Sequence, residues 1–574
     1  MNFSVSLHSK LFLMKKSVVL FLFLTFLLAG CAKIVTPVGG PKDTTPPKIV
    51  KESPANHSTH FNDKSIKITF DEFVVLNNPN QTVIVSPPLA QNPELSISGK
   101  SVVIKLPDSL RSNTTYSIVL SETIKDFTEG NPLPIYKFAF STGDHIDSFC
   151  LRGTLKDAVS LNPAKNTYVF LYEQDIDSLP LTTRPTYLTK SNASGEFVFD
   201  NIKPKAYKIF ALNDINNNLK YDLPNESIAF VDQLVEAWDK SSDTVATTSR
   251  NRANQLAGNA ADDKRVKLAL FTERDTNQAL GKYINTTENI YVFPYKTDFN
   301  SFSARLLGGQ DLSYFQTISE SRDSVYWFLK APITDTALYE FTVDGHHVDT
   351  IKISPFKKST KNAGNRRRGN EKNSLSVSLS NKENIYRPLT LNFSYPVKPG
   401  QFELIIYKRL KSGNDTIIKT VQIPDTFVRS LPIDYAFEEK LPYSVLIRDS
   451  VIWGYNGTTN DSLNVRFTTK TEKDYGNLQI NYHIADPSCQ YLVFLQNNKG
   501  GILQRNVICN DQSISYMHLE PGNYKIKVIK DRNNNGRWDT GNYRQHLQPE
   551  EIFFFDKPIN IRGYWDIEEE FELK

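Results

Sequence analysis

Apolar and polar residues alternate in short runs along most of the chain, which is the pattern of half-buried β-strands. The alternation is clear at residues 66–70, where Ile66, Ile68 and Phe70 are separated by polar residues. Turn residues separate this run from the next ones, and we predict further strands at 82–85, 102–106, 116–120 and 136–140. Several short strands with no convincing helical period between them indicate a β-sandwich of about 100 residues.

The same patterns recur later in the chain. Three short pairs match, namely residues 68–74 with 391–397, 116–120 with 443–447, and 138–142 with 465–469. A longer pair begins at Tyr207, which opens YKIFALNDINNNLKYD, and at Tyr524, which opens YKIKVIKDRNNNGRWD. These pairs predict a duplicated unit of two modules, a sandwich followed by a smaller β-domain. The alternative is chance similarity among β-rich segments, which the length of the last pair disfavours.

The 574 residues suffice for roughly four or five domains. We predict sandwiches at 48–145, 265–356 and 375–472, and smaller β-domains at 148–239 and 475–574. Polar linkers separate them at 240–264 and 357–374. Between residues 357 and 372 the second linker carries seven Lys or Arg residues and one acid. Such a run indicates either a contact with anionic lipid or lipopolysaccharide, or a solvated loop.

An apolar run near the N terminus predicts export. Two lysines precede an almost wholly apolar run at 18–28, and small residues then lead to Cys31. This order is that of a secretory signal peptide, which we place at 1–30, and the run is too short for a comfortable membrane span. Residues 31–47 are rich in Pro and Gly, so we predict an extended spacer there.

The residues Leu28-Ala29-Gly30-Cys31 resemble the lipobox of bacterial lipoproteins. The resemblance implies that the Cys31 thiol is acylated, for example with palmitate, and that Cys31 becomes the mature N terminus. Each buried CH₂ of an acyl chain adds about 0.8 kcal/mol of membrane affinity. The membrane is therefore a predicted partner, held through the N-terminal lipid.

The charge of the chain excludes one class of partner. The formal net charge is +4, and Lys10, Lys15 and Lys16 of the leader account for three of these charges, which leaves about +1. A nearly neutral chain lacks the basic surface that nucleic-acid binding requires. We therefore expect no nucleic-acid partner.

Three cysteines remain besides Cys31, and two of them predict a disulfide. Cys489 and Cys509 flank a predicted hairpin with its turn at 497–501, and both lie equally far from Lys499. Simple two-strand geometry places them opposite each other, with Cβ atoms about 5 Å apart. Export to an oxidising compartment permits a bond between them. The alternative is a pair of buried free thiols.

Oxygen-bearing side chains recur in the two matched loops at the first, third, fifth and ninth positions, and a basic residue at the seventh offers its backbone carbonyl. The candidate Ca²⁺ ligands are Asp214, Asn216, Asn218, Lys220, Asp222, Asp531, Asn533, Asn535, Arg537 and Asp539. Such alternation gathers hard oxygen ligands around one point. The pattern resembles the calcium loops of EF-hand-like and bacterial repeat β-domains.

The loops also depart from that pattern. Leu219 stands where the sixth-position glycine is expected, although the second loop has Gly536 there. Asn225 and Asn542 occupy the position of the bidentate Glu; Glu226 comes one residue late, and the second loop has no Glu nearby. We therefore predict at most weak Ca²⁺ binding, in roughly the 10⁻⁴–10⁻³ M class, and no other cofactor. The alternative is an Asn-rich turn that caps its own backbone.

Motifs for catalysis are missing from the sequence. It contains no His-Glu-x-x-His, no Gly-x-Ser-x-Gly and no phosphate-binding glycine loop. His346 and His347 are adjacent, so on a strand they face opposite sides and cannot share a metal. We predict that the protein is not an enzyme. A binding role would place Tyr291, Phe293 and Tyr295 on a face that stacks on sugar, and the competing interpretation is that they are core or edge aromatics.

Two segments resemble known families. Gly39-Gly40-Pro41-Lys42-Asp43-Thr44-Thr45-Pro46-Pro47 leads into residues 66–74, and Phe140-Ser141-Thr142-Gly143 ends the segment. It resembles the bacterial Ig-like domain at the start of Bacteroidota lipoproteins, a class first described in surface-layer proteins. Residues 151–235 resemble the transthyretin-like or carboxypeptidase-regulatory β-sandwich. The resemblances imply an all-β string of Ig-like and transthyretin-like sandwiches, an envelope location and a non-catalytic binding or spacing role.

The predicted function is that of a non-enzymatic outer-membrane lipoprotein. It would act as a spacer, scaffold or assembly partner, with another envelope protein as its partner. Lipoproteins sent to the surface in that phylum carry acids directly after the cysteine, whereas here Ala32-Lys33-Ile34-Val35 follow and Asp43 is the first acid. We therefore favour the periplasmic face over the cell surface. The alternative is a glycan- or peptide-binding envelope lipoprotein.

Overall fold

The computed structural model describes residues 43–107, 110–120, 122–239, 265–274, 278–287, 290–319, 321–355, 374–410 and 413–574. Their regular structure is almost entirely β-strand, numbered β1 to β40 below, which confirms the predicted all-β class. Contacts divide the chain into two compact units, one ending at Asp147 and one beginning at Ser148. The signal peptide, Cys31, the linker at 240–264 and nearly all of the linker at 357–374 lie outside the described residues. Among the described helices, none has the length and hydropathy needed to cross a membrane.

The first module, residues 43–147, packs its sheets around one core. Its elements are β1 (Ile49–Ser53), β2 (Ser65–Phe70), β3 (Val74–Leu76), α1 (Pro79–Thr82), β4 (Val83–Ser86), β5 (Glu94–Ser98), β6 (Ser101–Lys105), β7 (Thr115–Leu120), β8 (Ile124–Asp126) and β9 (Tyr136–Ser141). Two sheets, β1-β2-β6-β5 and β4-β7-β9, contribute most of the core, and β3 pairs with β8. Ile66, Ile68 and Phe70 of β2 all point inward. Each strand has one buried face, so apolar and polar residues alternate along it, and this alternation is why the sequence predicted the strands.

The second module combines residues 148–239 with residues 265–274. Its elements are β10 (Phe149–Asp157), β11 (Tyr168–Tyr172), α2 (Leu179–Thr182), β12 (Tyr187–Lys190), β13 (Glu196–Ile202), β14 (Ala206–Leu212), β15 (Ser227–Phe230), β16 (Val235–Glu236), β17 (Trp238–Asp239) and β18 (Val266–Thr272). The order of the main sheet is β12-β11-β14-β15-β18-β10-β13, and β16 and β17 pair with β14 and β10.

Strand β18 corrects the predicted boundary at residue 265. The sequence placed it at the start of a sandwich at 265–356, but it pairs in parallel with β10, with Leu268 opposite Leu155. It also pairs with β15, and Leu268 and Leu270 join the core of the second module. Local alternation identifies a strand but carries no information about which sheet it joins after a long connection, so the boundary was placed too early.

The third module (278–355) and the fourth module (374–469) are two further sandwiches. The third contains β19 (Ile284–Thr287), β20 (Ile290–Pro294), β21 (Phe302–Gly309), β22 (Tyr314–Ile318), β23 (Ser324–Leu329), β24 (Ala337–Val343) and β25 (His346–Ile353). The fourth contains β26 (Val377–Ser380), β27 (Leu389–Phe393), β28 (Gly400–Leu410), β29 (Gly413–Ile423), β30 (Ser430–Ile433), β31 (Pro442–Ile447) and β32 (Leu463–Thr468). Their sheets are β19-β20-β23-β22 with β21-β24-β25, and β26-β27-β30 with β29-β28-β31-β32.

The fifth module, residues 470–574, has the pairing pattern of the second. After a 3₁₀ turn (Glu472–Asp474) come β33 (Gly476–Ile484), β34 (Gln490–Asn497), β35 (Ile502–Ile508), β36 (Gln512–Leu519), β37 (Gly522–Asp531), β38 (Ile552–Phe554), β39 (Ile559–Ile561) and β40 (Asp566–Leu573). In both modules the first strand pairs in parallel with the last, β10 with β18 and β33 with β40. The series β12-β11-β14-β15 corresponds to β35-β34-β37-β38. The two modules are therefore copies of one topology, as the sequence match predicts.

Side chains at the module boundaries join the successive modules of residues 148–574. Arg274 of the second module pairs with Asp298 of the third at 3.3 Å. Phe328 of the third module packs into the core of the fourth. Tyr386 of the fourth module stacks on His518 of the fifth, with ring centroids 3.6 Å apart. These contacts follow the chain from the second module to the fifth.

The fifth module also returns to the second through Tyr543, which is 3% exposed. Its ring lies edge-on to Phe210 and Phe230, with centroid separations of 5.6 Å and 5.2 Å. Its hydroxyl donates to the Asp177 carbonyl, and its backbone N–H donates to the Glu273 carboxylate. The contacts within residues 148–574 therefore form a closed circuit of four modules.

Neighbours of Tyr543 extend this contact. The Thr540 hydroxyl donates to the Thr272 carbonyl at 2.7 Å, and the Gln548 amide donates to the Phe230 carbonyl at 3.0 Å. Gly541 lies so close to the second module that an added Cβ would come within 2.6 Å of the Phe271 ring. The close approach therefore depends on a residue without a side chain.

Replacing Tyr543 should loosen the second module. We expect Tyr543→Ala to reduce the free energy of unfolding by about 3–5 kcal/mol, because a buried ring and its polar contacts are lost. Hydrogen exchange monitored by mass spectrometry should show faster exchange in β14 and β15. Tyr564→Ala is the control, since Tyr564 is 73% exposed and its removal should change stability by no more than about 0.5 kcal/mol. Equal exchange in β14 and β15 for both variants would contradict the closed circuit.

Candidate functional site: the paired polar loops

The candidate ligands lie in two equivalent connections between strands. Loop A, residues 213–226, joins β14 to β15, and loop B, residues 531–551, joins β37 to β38. The side chains of Asp214 and Asp531 begin the two patterns and are both buried. Both loops stand at the same place in the duplicated topology, so their geometry is directly comparable.

The first aspartate of each loop holds the backbone of the turn. In loop A, the Asp214 carboxylate accepts the N–H groups of Asn218 at 3.2 Å and of Leu219 at 2.8 Å. In loop B, the Asp531 carboxylate accepts the equivalent N–H groups of Asn535 at 3.1 Å and of Gly536 at 2.7 Å. These are the internal bonds of an Asx-type turn.

The sixth position has a left-handed backbone in both loops. Leu219 has a φ of 61° and Gly536 a φ of 80°. A left-handed residue other than glycine costs roughly 1–2 kcal/mol. Loop A has this conformation although its residue is a leucine. The two loops therefore share the backbone geometry but not the glycine.

The amides of the turn point toward the last aspartate. Asn216 and Asn218 both donate side-chain N–H groups to the Asp222 carboxylate, at 3.0 Å and 2.6 Å. Their carbonyl oxygens accept backbone N–H groups, from Asn218 at 3.1 Å and from Lys220 at 2.7 Å. The amide oxygens that a Ca²⁺ ion needs are therefore already engaged in loop A.

Loop B repeats this arrangement. Asn533 and Asn535 donate to the Asp539 carboxylate at 2.6 Å and 2.5 Å. The Arg537 guanidinium lies 3.3 Å from the same carboxylate and donates to the Asn300 side chain of the third module at 2.6 Å. A fixed cation therefore already lies beside the candidate ligands of loop B.

A buried glutamate closes each loop. The Glu226 carboxylate, 0% exposed, accepts the N–H groups of Ile215, Asp222 and Leu223, each at 3.1 Å. The Glu550 carboxylate, 5% exposed, accepts the equivalent N–H of Arg532 at 2.8 Å and that of Asp539 at 2.9 Å. Each glutamate thus joins the two ends of its loop.

Sequence reasoning missed the second glutamate. Glu226 follows Asp222 by 4 residues, whereas Glu550 follows Asp539 by 11 residues, because extra residues that include Tyr543 lie between them. In both loops the glutamate stands two residues before the first residue of the next strand, Ile228 or Ile552, that pairs with the preceding strand. Counting back from the following strand, instead of forward from the aspartate, would have identified it.

The donor sets fit a self-contained turn better than a metal site. Both oxygens of Asp222 accept amide hydrogens, and both oxygens of Glu226 accept backbone hydrogens. Among the described residues, no group of three or more His, Cys, Asp or Glu side chains is arranged to hold a metal ion. Of the two interpretations that the sequence left open, the geometry favours the Asn-rich turn.

The insertion in loop B brings charged groups together at the second module. His546 lies 3.1 Å from Asp177 and 3.1 Å from Asp232. The Lys208 ammonium, which also pairs with Asp177, is the main cause that holds the pKa of the Asp177 carboxyl below its usual value, and His546 adds to the effect. Asp177 and Asp232 of the second module therefore both face one histidine of the fifth, His546.

The predicted disulfide between Cys489 and Cys509 is wrong, since both thiols are free. Tyr491 pairs with Ile508, so the register continues to place Gln490, not Cys489, beside Cys509. The register shifts by one residue between Leu495 and Gln496. Because a shift of one residue moves side chains to the other face, the equal spacing from the turn did not bring the two thiols together.

The predicted aromatic face of the third module is also absent from the surface. Tyr291, Phe293 and Tyr295 are 1%, 0% and 6% exposed and belong to the core of that module. Phe293 packs edge-on against Trp327 at a centroid separation of 4.9 Å. The core interpretation is therefore correct, and these rings are not available for stacking on a sugar.

Comparisons with known proteins find one family model that matches part of the chain. Residues 43–142 match the model of a bacterial Ig-like domain, which agrees with the resemblance read from the sequence. No curated protein matches the chain.

Several solved structures are similar over part of the chain. A segment of Escherichia coli alpha-2-macroglobulin spanning domains MG0-NIE-MG1 has 9% identity and a TM-score of 0.19, and covers 49% of this chain and 97% of that chain. The major pilin subunit BcpA of Bacillus cereus has 9% identity and a TM-score of 0.15, covering 74% and 98%. Two fibronectin type-III domains of chicken tenascin have 14% identity and a TM-score of 0.12, covering 33% and 97%. At these TM-scores the similarities carry no functional conclusion.

The buried glutamates predict a specific cost of substitution. We expect Glu550→Gln to destabilise the fifth module by about 1–3 kcal/mol, because an amide can accept only one of the two backbone hydrogen bonds in the same geometry. Glu551→Gln is the matched control, since the neighbouring Glu551 is exposed and pairs only with the Arg532 guanidinium at 3.0 Å. Its effect should stay within about 1 kcal/mol. Urea unfolding would measure both, and equal effects would contradict the proposed role of Glu550.

Calcium provides the second test of the loops. A site with a Kd of roughly 10⁻⁴–10⁻³ M would stabilise the protein by about 1.4–2.7 kcal/mol at 10 mM Ca²⁺. Because amide N–H groups already donate to the carboxylates of Asp222 and Asp539, we expect the unfolding temperature to be the same in Ca²⁺ and in EGTA. An unfolding temperature that is higher in Ca²⁺ than in EGTA would instead show that the protein binds the ion. If this difference disappears in the double variant Asp222→Asn with Asp539→Asn, the ion binds at these loops.

Proposed function

We propose that the protein is a non-enzymatic lipoprotein of the outer membrane, anchored on its periplasmic face, that acts as a spacer or scaffold for another envelope protein. The observation that carries this proposal is the closed circuit of the four modules in residues 148–574. Tyr543 returns the fifth module to the second, and the ring pair Tyr386 and His518 fixes the fourth against the fifth. Such a circuit resists rearrangement better than modules joined only end to end, which suits a protein that holds its partners in fixed positions.

The polar groups that first suggested chemistry support the same role. The side chains of loops A and B bond mainly to their own backbone and to each other, and Arg537 extends from loop B to Asn300 of the third module. The side chains of the two loops thus serve to position strands and modules. The match of residues 43–142 to a bacterial Ig-like domain supports a structural role for the first module as well.

The proposed anchor is the Cys31 thiol. Stable attachment requires two acyl chains, or one chain with a second membrane-binding signal, because one chain alone gives only marginal, reversible binding. The spacer between Cys31 and Asp43 has 11 residues, so its fully extended reach is about 40 Å. The first module would therefore remain near the membrane surface.

The glycan-binding alternative has lost its structural support. Its candidate aromatics lie in the core of the third module. We therefore do not carry it forward as a second function.

Intact-mass analysis of the protein extracted from its own envelope tests the anchor. We expect a mature chain that begins at Cys31 and carries the added mass of its acyl chains. Cys31→Ser should leave an unprocessed leader and should abolish the added mass of the acyl chains. Cys509→Ser is the control, because Cys509 is a free, exposed thiol whose loss should change neither mass nor location beyond the substitution itself. An unmodified Cys31 in the mature protein would overturn the proposal.

A further inference from the structure

Duplication allows one sheet face to be compared with a covered version of itself. In the second module, Phe170, Phe210 and Phe230 stand opposite one another on β11, β14 and β15 and form what we call the covered face. These rings are 0%, 1% and 3% exposed; the loop B residue Tyr543 packs against Phe210 and Phe230, and His546 packs against Phe230. The fifth module therefore supplies the cover for the second.

The equivalent face of the fifth module is covered only in part, and by its own loop B. It comprises Leu492, Phe494, Val507, Ile529, Ile552 and Phe554, and we call it the partly covered face. Trp538 of loop B packs beside it, and Leu492, Ile529 and Ile552 are 0%, 5% and 5% exposed, whereas both Phe rings remain partly exposed. Val507, at its edge, is 49% exposed. Among the described residues, no other module packs there as loop B packs on the covered face.

The edge strand beside this face is unusually open. β35 has 7 residues, whereas its counterpart β12 has 4, and β35 stands at the end of its sheet. Ile502 and Val507 stand opposite Gln496 and Leu492, on the side of the sheet that carries Phe494, and are 55% and 49% exposed. Proteins usually shorten or bury such an edge, because its unpaired N–H and C=O groups accept a further strand. The length and apolar residues of β35 therefore point to a strand that pairs with it.

The charges on this face indicate the chemistry of that strand. The residues opposite Phe494 on its two neighbouring strands are Arg505 and Lys527, at positions that hold Leu188 and Phe210 in the second module. The Arg505 guanidinium donates to the Gly536 carbonyl. Among the described residues, neither cation has a carboxylate within ion-pair distance.

We propose that the partly covered face and the edge of β35 dock an extended segment of another envelope protein, one that carries apolar side chains flanked by Asp or Glu. The segment adds as a strand to β35, its apolar side chains cover Phe494 and Val507, and its carboxylates pair with Arg505 and Lys527. The envelope location of this partner rests on the proposed function above. The surface itself rests only on the comparison of the two modules.

A second copy of the chain is a poorer occupant. If two copies met through this face, Arg505 and Lys527 of each would lie against the same cations of the other. Like charges placed together at an interface cost several kcal/mol. The basic residues therefore favour an acidic partner over self-association.

Site-specific photocrosslinking tests the proposal in the full-length protein in its own envelope. p-Benzoylphenylalanine is placed at Val507, and the crosslinked peptides are identified by mass spectrometry. We expect one adduct with a different envelope protein, through a segment in which apolar residues adjoin Asp or Glu. The same crosslinker at Ile418, which is 59% exposed on β29 of the fourth module, is the matched control and should not give that adduct.

Charge reversal completes the test. Arg505→Glu with Lys527→Glu should lower the adduct yield by about tenfold, since two ion pairs become repulsions. If this variant fails to reach the wild-type unfolding temperature, Val507→Glu with the crosslinker at Ile502 replaces it. An adduct with a second copy, an adduct with the chain's own first module, no adduct, or an adduct unaffected by charge reversal would each overturn the proposal. The mass of residue 31 in the same sample shows separately whether the lipoprotein assignment holds.

Discussion

The burial of Tyr543 between Phe210 and Phe230 is the contact on which the arrangement of residues 148–574 depends. The other boundaries join modules that already follow one another in the chain, but this one joins the last module to the first of the four. Without it, the covered face would expose Phe210 and Phe230, and each large apolar side chain left in water costs roughly 1.5–3 kcal/mol. The contact therefore stabilises the second module and the circuit of modules together.

The polar loops make that contact possible. A loop with an insertion needs hydrogen bonds that fix the conformation of its base. In loop B the buried Glu550 carboxylate provides them, because it accepts the N–H groups of both Arg532 and Asp539. Glu226 makes the equivalent connection in loop A without any insertion. The conserved hydrogen bonds of the two copies therefore define the frame, and the residues added between Asp539 and Glu550 turn one copy into a connector.

Much of the fold follows from the sequence, because each strand with one buried face alternates with a period of two. The predicted runs at 66–70 and 136–140 are examples. What the sequence could not reveal depends on contacts between distant segments. β18 joins β10 across a long connection, and the bulge in the β34–β35 hairpin shifts Cys489 away from Cys509. Glu550 was missed for a related reason, since the insertion moved it away from the aspartates with which it acts.

The residues that differ between the two copies distinguish two explanations for the basic residues, namely protection of the β35 edge and recognition of a partner. Cations on an edge strand prevent unwanted pairing, and Arg505 would serve that purpose by itself. Protection does not explain why the exposed Ile502 and Val507 share a face with Arg505 on a strand longer than β12, since both features promote pairing. Nor does it explain Lys527, which lies within the sheet and replaces the buried Phe210. An acidic, apolar strand accounts for all of these residues at once, because it satisfies the cations and the apolar side chains in the same contact.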